Sequence, residues 1–371
     1  MRVLGIETSC DETSAAIVDE RPDDLRPWAV RSNVVASQVA IHQAWGGIVP
    51  ELSARQHIRD ICGVVERAVA DAGTRGPGST DPSARPYDLI AVTQGPGLVG
   101  SLLVGVSFAK ALAWSQDVPF VPVHHLAGHI ESLVLDGGEM PLPAVVLVVS
   151  GGHTSLYRLP ARGVYERLGR TRDDAAGEAY DKVAKLLGLG YPGGPVMDRL
   201  ADGGNDRAVP LPRTRLTHPD RNAPDLPGHR DFSFSGLKTS VARYVAQRRA
   251  ALALPDDAAL PDADIRDLCA SFQRVVVATL LDALFDAARE AGARSVGIAG
   301  GVSANGRLRR DALARGAAAG LPVLVPAVSL STDNAAMIAA AGLRAFRAGV
   351  RGDWSVNADA SLPLTPVRGQ S

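Results

Sequence analysis

Three of the eight histidines in the chain fall within six residues, His124-His125-Leu126-Ala127-Gly128-His129. On a helix, His125 and His129 lie one turn apart on the same face, so two imidazole nitrogens can converge on a single metal ion. Hydrogen-bonded histidines at a helix start are the structural alternative, and the local density of imidazoles argues against it. Leu126 stands where an HExxH zinc protease carries its glutamate, so the segment has no built-in base to activate a water, and a peptidase is disfavoured. A third ligand is available in Asp333, within Ser331-Thr332-Asp333-Asn334 at the mouth of an apolar helix. Its ordinary role there would be an N-cap or first-turn acid. Two imidazoles and one carboxylate leave coordination positions open, as a catalytic ion requires. Iron(II) suits that set, and zinc remains open.

A second kind of chemistry resides in three Gly/Ser/Thr turns that follow strand-like runs: Thr8–Thr13, Ser150–Thr154 and Gly300-Gly301-Val302-Ser303-Ala304-Asn305. Glycine lets backbone N–H groups approach a phosphate, and a following helix N-terminus adds a favourable dipole. Each turn alone is weak evidence; together they suggest a nucleotide cradle, although no GxxxxGK[ST] P-loop is present. Glu178-Ala179-Tyr180-Asp181-Lys182 lies on an expected helix whose apolar face is Ala179, Val183, Leu186 and Leu187; i,i+4 ion pairing on a solvated face is its ordinary reading. The break Gly190-Tyr191-Pro192-Gly193-Gly194-Pro195 permits close ligand approach, and Asp198 follows it. Arginines cluster at 158–172 and at 307–315, either as solvated faces or as contacts to RNA phosphate.

These groups need a scaffold, and the pattern supplies one. Val3–Ile6 and Ala15–Val18 flank the polar turn 8–13 as a hairpin with hydroxyls and carboxylates at its tip. A helix is expected over 52–70, with Ile58, Ile61, Val65 and Ala68 sharing a face and Gly73 past its end. Residues 71–88 read as a loop, followed by a strand at 89–93, a helix over 101–114, a strand at 118–123 and a helix from about His124. At 145–159 the strand–turn–strand plan restarts, which points to two similarly folded halves. Further on come a surface excursion at 201–232, a helix over 265–291, strands at 296–299 and 323–325, and helices from Asn305 and Thr332. Alternation of this kind favours a mostly parallel α/β sheet.

The chain has 371 residues, 46% hydrophobic, with Lys+Arg 39 against Asp+Glu 40. That is enough for about two domains with their own cores and excludes a generally basic nucleic-acid coat. Cys10, Cys62 and Cys269 form no CxxC pair, which argues against a disulfide framework or a thiolate zinc cage. The N-terminus reaches Glu7 before any signal-like core could form, and no apolar run approaches a membrane span, so a cytoplasmic protein is expected.

With those segments in place, the chain resembles the TsaD family of tRNA N6-adenosine threonylcarbamoyltransferases. The resemblance runs from Gly5-Ile6-Glu7-Thr8-Ser9-Cys10-Asp11-Glu12-Thr13 to Thr332-Asp333-Asn334-Ala335-Ala336-Met337-Ile338. Pro50–Arg55, Gly95–Leu98, the SGGHT turn, the GEAYDK helix and Phe232–Lys238 lie between. It implies the actin-like ATPase (ASKHA) fold, two ribonuclease-H-like halves around a nucleotide cleft. The halves would be 1–135, with the C-terminal helix packing back on it, and 136–350, followed by a tail at 351–371. It implies transfer of the threonylcarbamoyl group from threonylcarbamoyl-AMP to N6 of the adenosine 3′ of the anticodon, in tRNAs reading codons that begin with A. A TsaB-like paralogue and a TsaE-like ATPase are the implied protein partners.

Carried over position by position, the resemblance gives a divalent metal, iron(II) or zinc, on His125, His129 and Asp333. The acyl-adenylate would lie along Val148, Val149, Ser150, Gly151 and Gly152, completed by Asp181, Gly194, Asp198 and Asn305. Asp11 and Glu12 match the family's acidic turn as catalytic candidates. Asp11 would take the amine proton, while Asp181 or Asp198 would anchor ribose hydroxyls. Ala127 stands where many relatives carry Glu, and the loops at 71–88 and 201–232 are longer than a minimal member needs. The competing class is a small-molecule kinase or ATPase of the same fold, which would hold Mg²⁺ on carboxylates and have no use for the histidine pair.

Overall fold

In the computed structural model, residues 1–73, 85–214, 216 and 230–365 are described. Parts of the expected 71–88 loop (74–84), of the 201–232 excursion (215 and 217–229) and of the tail (366–371) lie outside the described residues. The chain divides into two compact units. The first comprises 1–140, 161–165 and the chain from 326 onward; the second comprises 141–160 and 166–325.

The first unit opens with strands β1 (Arg2–Glu7), β2 (Glu12–Glu20) and β3 (Trp28–Ser37), followed by helices α1 (Val39–Gln43) and α2 (Pro50–Ala72). Then come β4 (Leu89–Gly95), α3 (Val99–Gln116), β5 (Phe120–His124) and α4 (His125–Gly137). The strand order is β3-β2-β1-β4-β5. β1 pairs antiparallel with β2 and parallel with β4, and β4 pairs parallel with β5. β1 is buried along its whole length, its apolar middle Val3–Ile6 flanked by buried Arg2 and Glu7.

One expectation fails here. Ile58 is 64% exposed, whereas Ile61, Val64, Val65 and Ala68 are buried. The buried position next to it belongs to His57, whose Nδ1 lies 2.7 Å from Thr13 Oγ1 and whose Nε2 lies 3.0 Å from the Cys10 carbonyl. A carbonyl can only accept, so Nε2 carries the proton and Nδ1 accepts from the Thr13 hydroxyl. Burial holds the His57 pKa below its ordinary value, in keeping with a neutral ring.

The second unit repeats the plan with β6 (Ala144–Val149), β7 (Thr154–Leu159), β8 (Glu166–Arg170), β9 (Ser295–Ala299) and β10 (Val323–Leu324). Their order, β10-β9-β6-β7-β8, is the first sheet's order in equivalent strands, with the same pattern of antiparallel and parallel neighbours. The restart at 145 is therefore a structural repeat. Between β8 and β10 lie α5 (Ala176–Leu186), α6 (Gly193–Ala201), α7 (Ser235–Ala251), α8 (Asp262–Glu290), a 3₁₀ turn (Gly301–Ala304) and α9 (Gly306–Ala319). α8 is long and apolar enough to cross a membrane, yet 67% of its most apolar window is buried. Leu268, Phe272, Val276 and Leu280 place it in this unit's core. Val209, Leu211 and Phe232, from the expected excursion, join the same core.

The chain then re-enters the first unit as α10 (Val328–Ser331) and α11 (Ala335–Arg347). α11 approaches its neighbours at glycines: a Cβ on Gly5 would lie 2.1 Å from the Ala335 carbonyl oxygen, and one on Gly128 would lie 2.7 Å from Ile338 Cδ1. The close approach brings the start of α11 against β1 and α4. Beyond it, Gly352 donates to the Phe120 carbonyl, and His124 Nε2 lies 2.9 Å from the Leu362 carbonyl oxygen, next to the first turn of α4. We expect Gly5→Ala to destabilise the protein by roughly 1–3 kcal/mol, because the clash is with backbone that cannot rotate away. Denaturant unfolding checks this, and an unchanged midpoint would contradict the close approach.

Candidate functional site

β5 ends at His124, whose Nδ1 accepts from the Leu126 N–H at 3.1 Å and so caps α4. That start places His125 and His129 one turn apart on the buried face, rings edge-to-face with centroids 4.6 Å apart. Asp333 comes to them from the turn before α11. It is not the helix cap. Asn334 takes that position, its side-chain oxygen accepting from the Met337 N–H at 3.2 Å, and Asp333 is left facing the imidazoles.

Asp333 Oδ1 lies 3.6 Å from His125 Nε2 and 3.2 Å from His129 Nε2. Ligands each about 2.1 Å from a shared ion stand roughly 3–3.5 Å apart. One atom from each of the three residues falls within 4.8 Å of the others. His129 tests the fit independently. It is wholly buried, yet neither ring nitrogen makes an aligned hydrogen bond among the described residues, Asp333 being near Nε2 without the required direction. A buried imidazole left in that condition costs free energy unless a ligand engages it. The donor set thus fits a divalent ion.

Glu7, which the sequence reading passed over, completes the arrangement. Its Oε2 lies 3.0 Å from His125 Nδ1 and accepts from Thr93 Oγ1 at 2.8 Å; Ser9 Oγ lies 3.2 Å from the same ring nitrogen. Carboxylate on Nδ1 leaves Nε2 for the ion, the outer-shell pattern that orients metal-ligating histidines. Burial pushes the Glu7 carboxyl up, but the His125 imidazole outweighs it and holds the carboxyl below its ordinary range. Burial likewise opposes charge on His125, yet Asp333 and Glu7 together push its pKa up to about 9. His129 goes the other way, held down first by burial and further by the charge on His125, against the pull of Asp333. Without an ion, His125 carries the proton and His129 is neutral.

Asp11 and Glu12 sit at the β1–β2 hairpin tip. The turn is held from behind: the Cys10 carbonyl accepts from Ser53 Oγ and His57 Nε2, and the Asp11 carbonyl from the Gln38 N–H. Burial, then the charges of Asp333 and Asp11, push Glu12 up to about 10 in the ion-free protein. Burial with the same acidic surroundings raises Cys10 well above an ordinary thiol.

The remaining candidates all belong to the second unit and form local groupings. The side chains of Val148 and Val149 are fully buried, so these residues act through the strand that delivers Ser150. The Ser150 N–H donates to the His153 carbonyl, and Gly177 packs on Ser150 and Gly151 too closely for a Cβ; Gly151, Gly152, Gly194 and Gly301 themselves face open space. Asp181 Oδ1 accepts from the Gly193 N–H at 2.7 Å, beside Gly194. Asp198 and Asn305 are joined through Gln273, on α8, which the sequence reading did not single out. Of the arginines, Arg158, Arg172, Arg307 and Arg315 pair with Glu166, Asp231, Asp206 and Asp282.

The profile of the TsaD family, described as tRNA N6-adenosine threonylcarbamoyltransferase, matches residues 29–340. Proteins of that name from Salinibacter ruber and Koribacter versatilis are 48% and 46% identical to this chain. The first match covers 98% of this chain and 100% of the relative, and the second 98% of each. Among solved structures, HypF from T. kodakarensis is similar with a TM-score of 0.56 at 13% identity, covering 92% of this chain and 47% of that one, which bears on the fold alone.

Two measurements check the metal centre. Glu7→Gln is expected to lower divalent-metal affinity about 10–100-fold, by chelator competition, with the fold retained; unchanged affinity would remove Glu7 from the site. Because His125 titrates near 9, an entering ion must displace its proton at neutral pH. Affinity should rise roughly tenfold per unit between about pH 6.5 and 8.5 and level off above the His125 pKa. A flat profile over that window would contradict the protonation pattern.

Proposed function

The chain belongs to the TsaD family of tRNA N6-adenosine threonylcarbamoyltransferases, and we propose that it transfers the threonylcarbamoyl group of threonylcarbamoyl-AMP to tRNA. The acceptor is N6 of the adenosine 3′ of the anticodon, in tRNAs that read codons beginning with A. The reading places the reaction in the cytoplasm, with a TsaB-like paralogue and a TsaE-like ATPase as partners. The observation that carries it is the convergence of His125, His129 and Asp333 in a chain of this family. A kinase or plain ATPase has no use for two buried imidazoles facing one carboxylate.

The donor is a mixed carbamic–phosphoric anhydride and is already activated. The enzyme therefore has to align an amine, receive one proton and hold the leaving phosphate. N6 attacks the carbamoyl carbon, the new C–N bond forms, the C–O bond to phosphate breaks, and AMP leaves with the bonding pair. A divalent ion on His125, His129 and Asp333, iron(II) or zinc, supplies a Lewis acid for an oxygen of such a group. The other roles belong to the chain itself. Backbone N–H groups of Gly151 and Gly152 hold the phosphate, on the turn carried by Val148, Val149 and Ser150, with Gly194 allowing close approach. Asp181, Asp198 and Asn305 bind the nucleoside. Asp11 receives the N6 proton. Glu12 stands beside Asp11 on the same turn as the second catalytic carboxyl.

Reconstitution with the threonylcarbamoyl-AMP synthase, both partners, threonine, bicarbonate, ATP and unmodified tRNA should yield the modified nucleoside by mass spectrometry. No product with active partners would overturn the assignment. Asp11→Asn should slow transfer roughly 10²–10⁴-fold while metal content and AMP affinity hold; an unchanged rate would remove the proton role.

A further inference from the structure

Behind Asp198 and Asn305 lies a closed ring of hydrogen bonds in which each donor and acceptor can be assigned. The Leu308 N–H donates to Asn305 Oδ1 at 2.9 Å, and Asn305 Nδ2 donates to Gln273 Oε1 at 2.9 Å. Gln273 Nε2 donates to Asp198 Oδ1 at 3.0 Å, and the Gly306 N–H donates to Asp198 Oδ2 at 2.9 Å. The polarity has one solution. A carboxylate can only accept, so the nitrogen of Gln273 must face Asp198 and its oxygen must face Asn305. Asn305 must then present its nitrogen to Gln273 and its oxygen to the start of α9. Three elements, α6, α8 and the turn into α9, are tied together by one neutral amide that is only 3% exposed.

The ring also defines what remains for a ligand. Asp198 keeps one acceptor position on each oxygen, and Asn305 keeps one N–H. That inventory matches a vicinal diol, two hydroxyls that can donate to a carboxylate and accept from an amide. Resting on the adenylate reading above, we propose that Gln273 is a positioning residue that orients Asp198 and Asn305 for the ribose hydroxyls of the bound adenylate. Glutamine suits the place because it donates at one end and accepts at the other without charge. A carboxylate there would face Asp198 directly, and an apolar side chain would take the partner from Asp198 Oδ1 and from Asn305 Nδ2.

Calorimetric titration of AMP into the metal-loaded full-length chain tests this. Gln273→Met should weaken AMP binding roughly 10–100-fold, and the penalty should shrink for 2′,3′-dideoxy-AMP. Metal content should stay unchanged, because the ion's ligands lie in the other unit. A penalty equal for both nucleotides marks a merely structural role and overturns the proposal, as does AMP affinity within twofold of wild type. Gln273→Glu provides a second arm: relative to wild type at each pH, its AMP affinity should be poor near pH 8 and recover towards about pH 6, where a shared proton lets the introduced carboxyl donate to Asp198. If Gln273→Met fails to fold, this arm decides alone; a pH-independent ratio contradicts the proposal. Failure of wild type itself to bind AMP, with Asp198→Ala no different, would instead strike at the adenylate reading.

Discussion

Two imidazoles and a carboxylate separated by about two hundred residues have to meet around one point, and much of the first unit follows from that requirement. His125 and His129 are brought to one face by a helix whose cap is itself a histidine. Asp333 must be delivered from the far end of the chain, which demands that α11 come unusually close to β1 and α4. Glycine at 5 and at 128 permits the approach, the second lying between the two histidines. Asn334 takes over the capping work that would otherwise occupy Asp333. Glu7, at the end of a fully buried strand, then settles which nitrogen of His125 faces Asp333. Backbone packing, capping and tautomer choice all serve one geometry.

The second unit handles polarity differently. Two of its carboxylates are tied to backbone donors or to a neutral amide: Asp181 to the Gly193 N–H, Asp198 to Gln273 and the Gly306 N–H. Such groups remain acceptors while their orientation is fixed, which suits recognition of hydroxyls. The first unit, by contrast, buries Glu12 among other carboxylates, and burial first and the charges of Asp333 and Asp11 next push its pKa up in the ion-free protein.

What could be read from the residues was what depends on local spacing. The histidine pair, the hairpin at the start and its restart at 145 are short-range patterns, and the two sheets carry them in equivalent strands. Asp333 is legible only as an acid at a helix mouth, where an N-cap is its ordinary role, and the resemblance adds its ligand role to that reading. Glu7 and Gln273 stayed hidden: their partners are 118 and 75 residues away, and each looks like an ordinary strand-end acid or helix amide. Ile58 lies outside the buried face because periodicity names a face without saying which neighbour claims it, and His57 claims that position through Thr13 and Cys10.

The stoichiometry of a bound ion tests the imidazole–carboxylate centre most directly. Wild-type protein and the His125→Ala/His129→Ala double variant, equilibrated with iron(II) or zinc and freed of excess, can be compared by elemental analysis. One ion per chain in the wild type and none in the variant is the predicted result. Equal metal content in the two proteins would mean that the imidazole pair holds no ion.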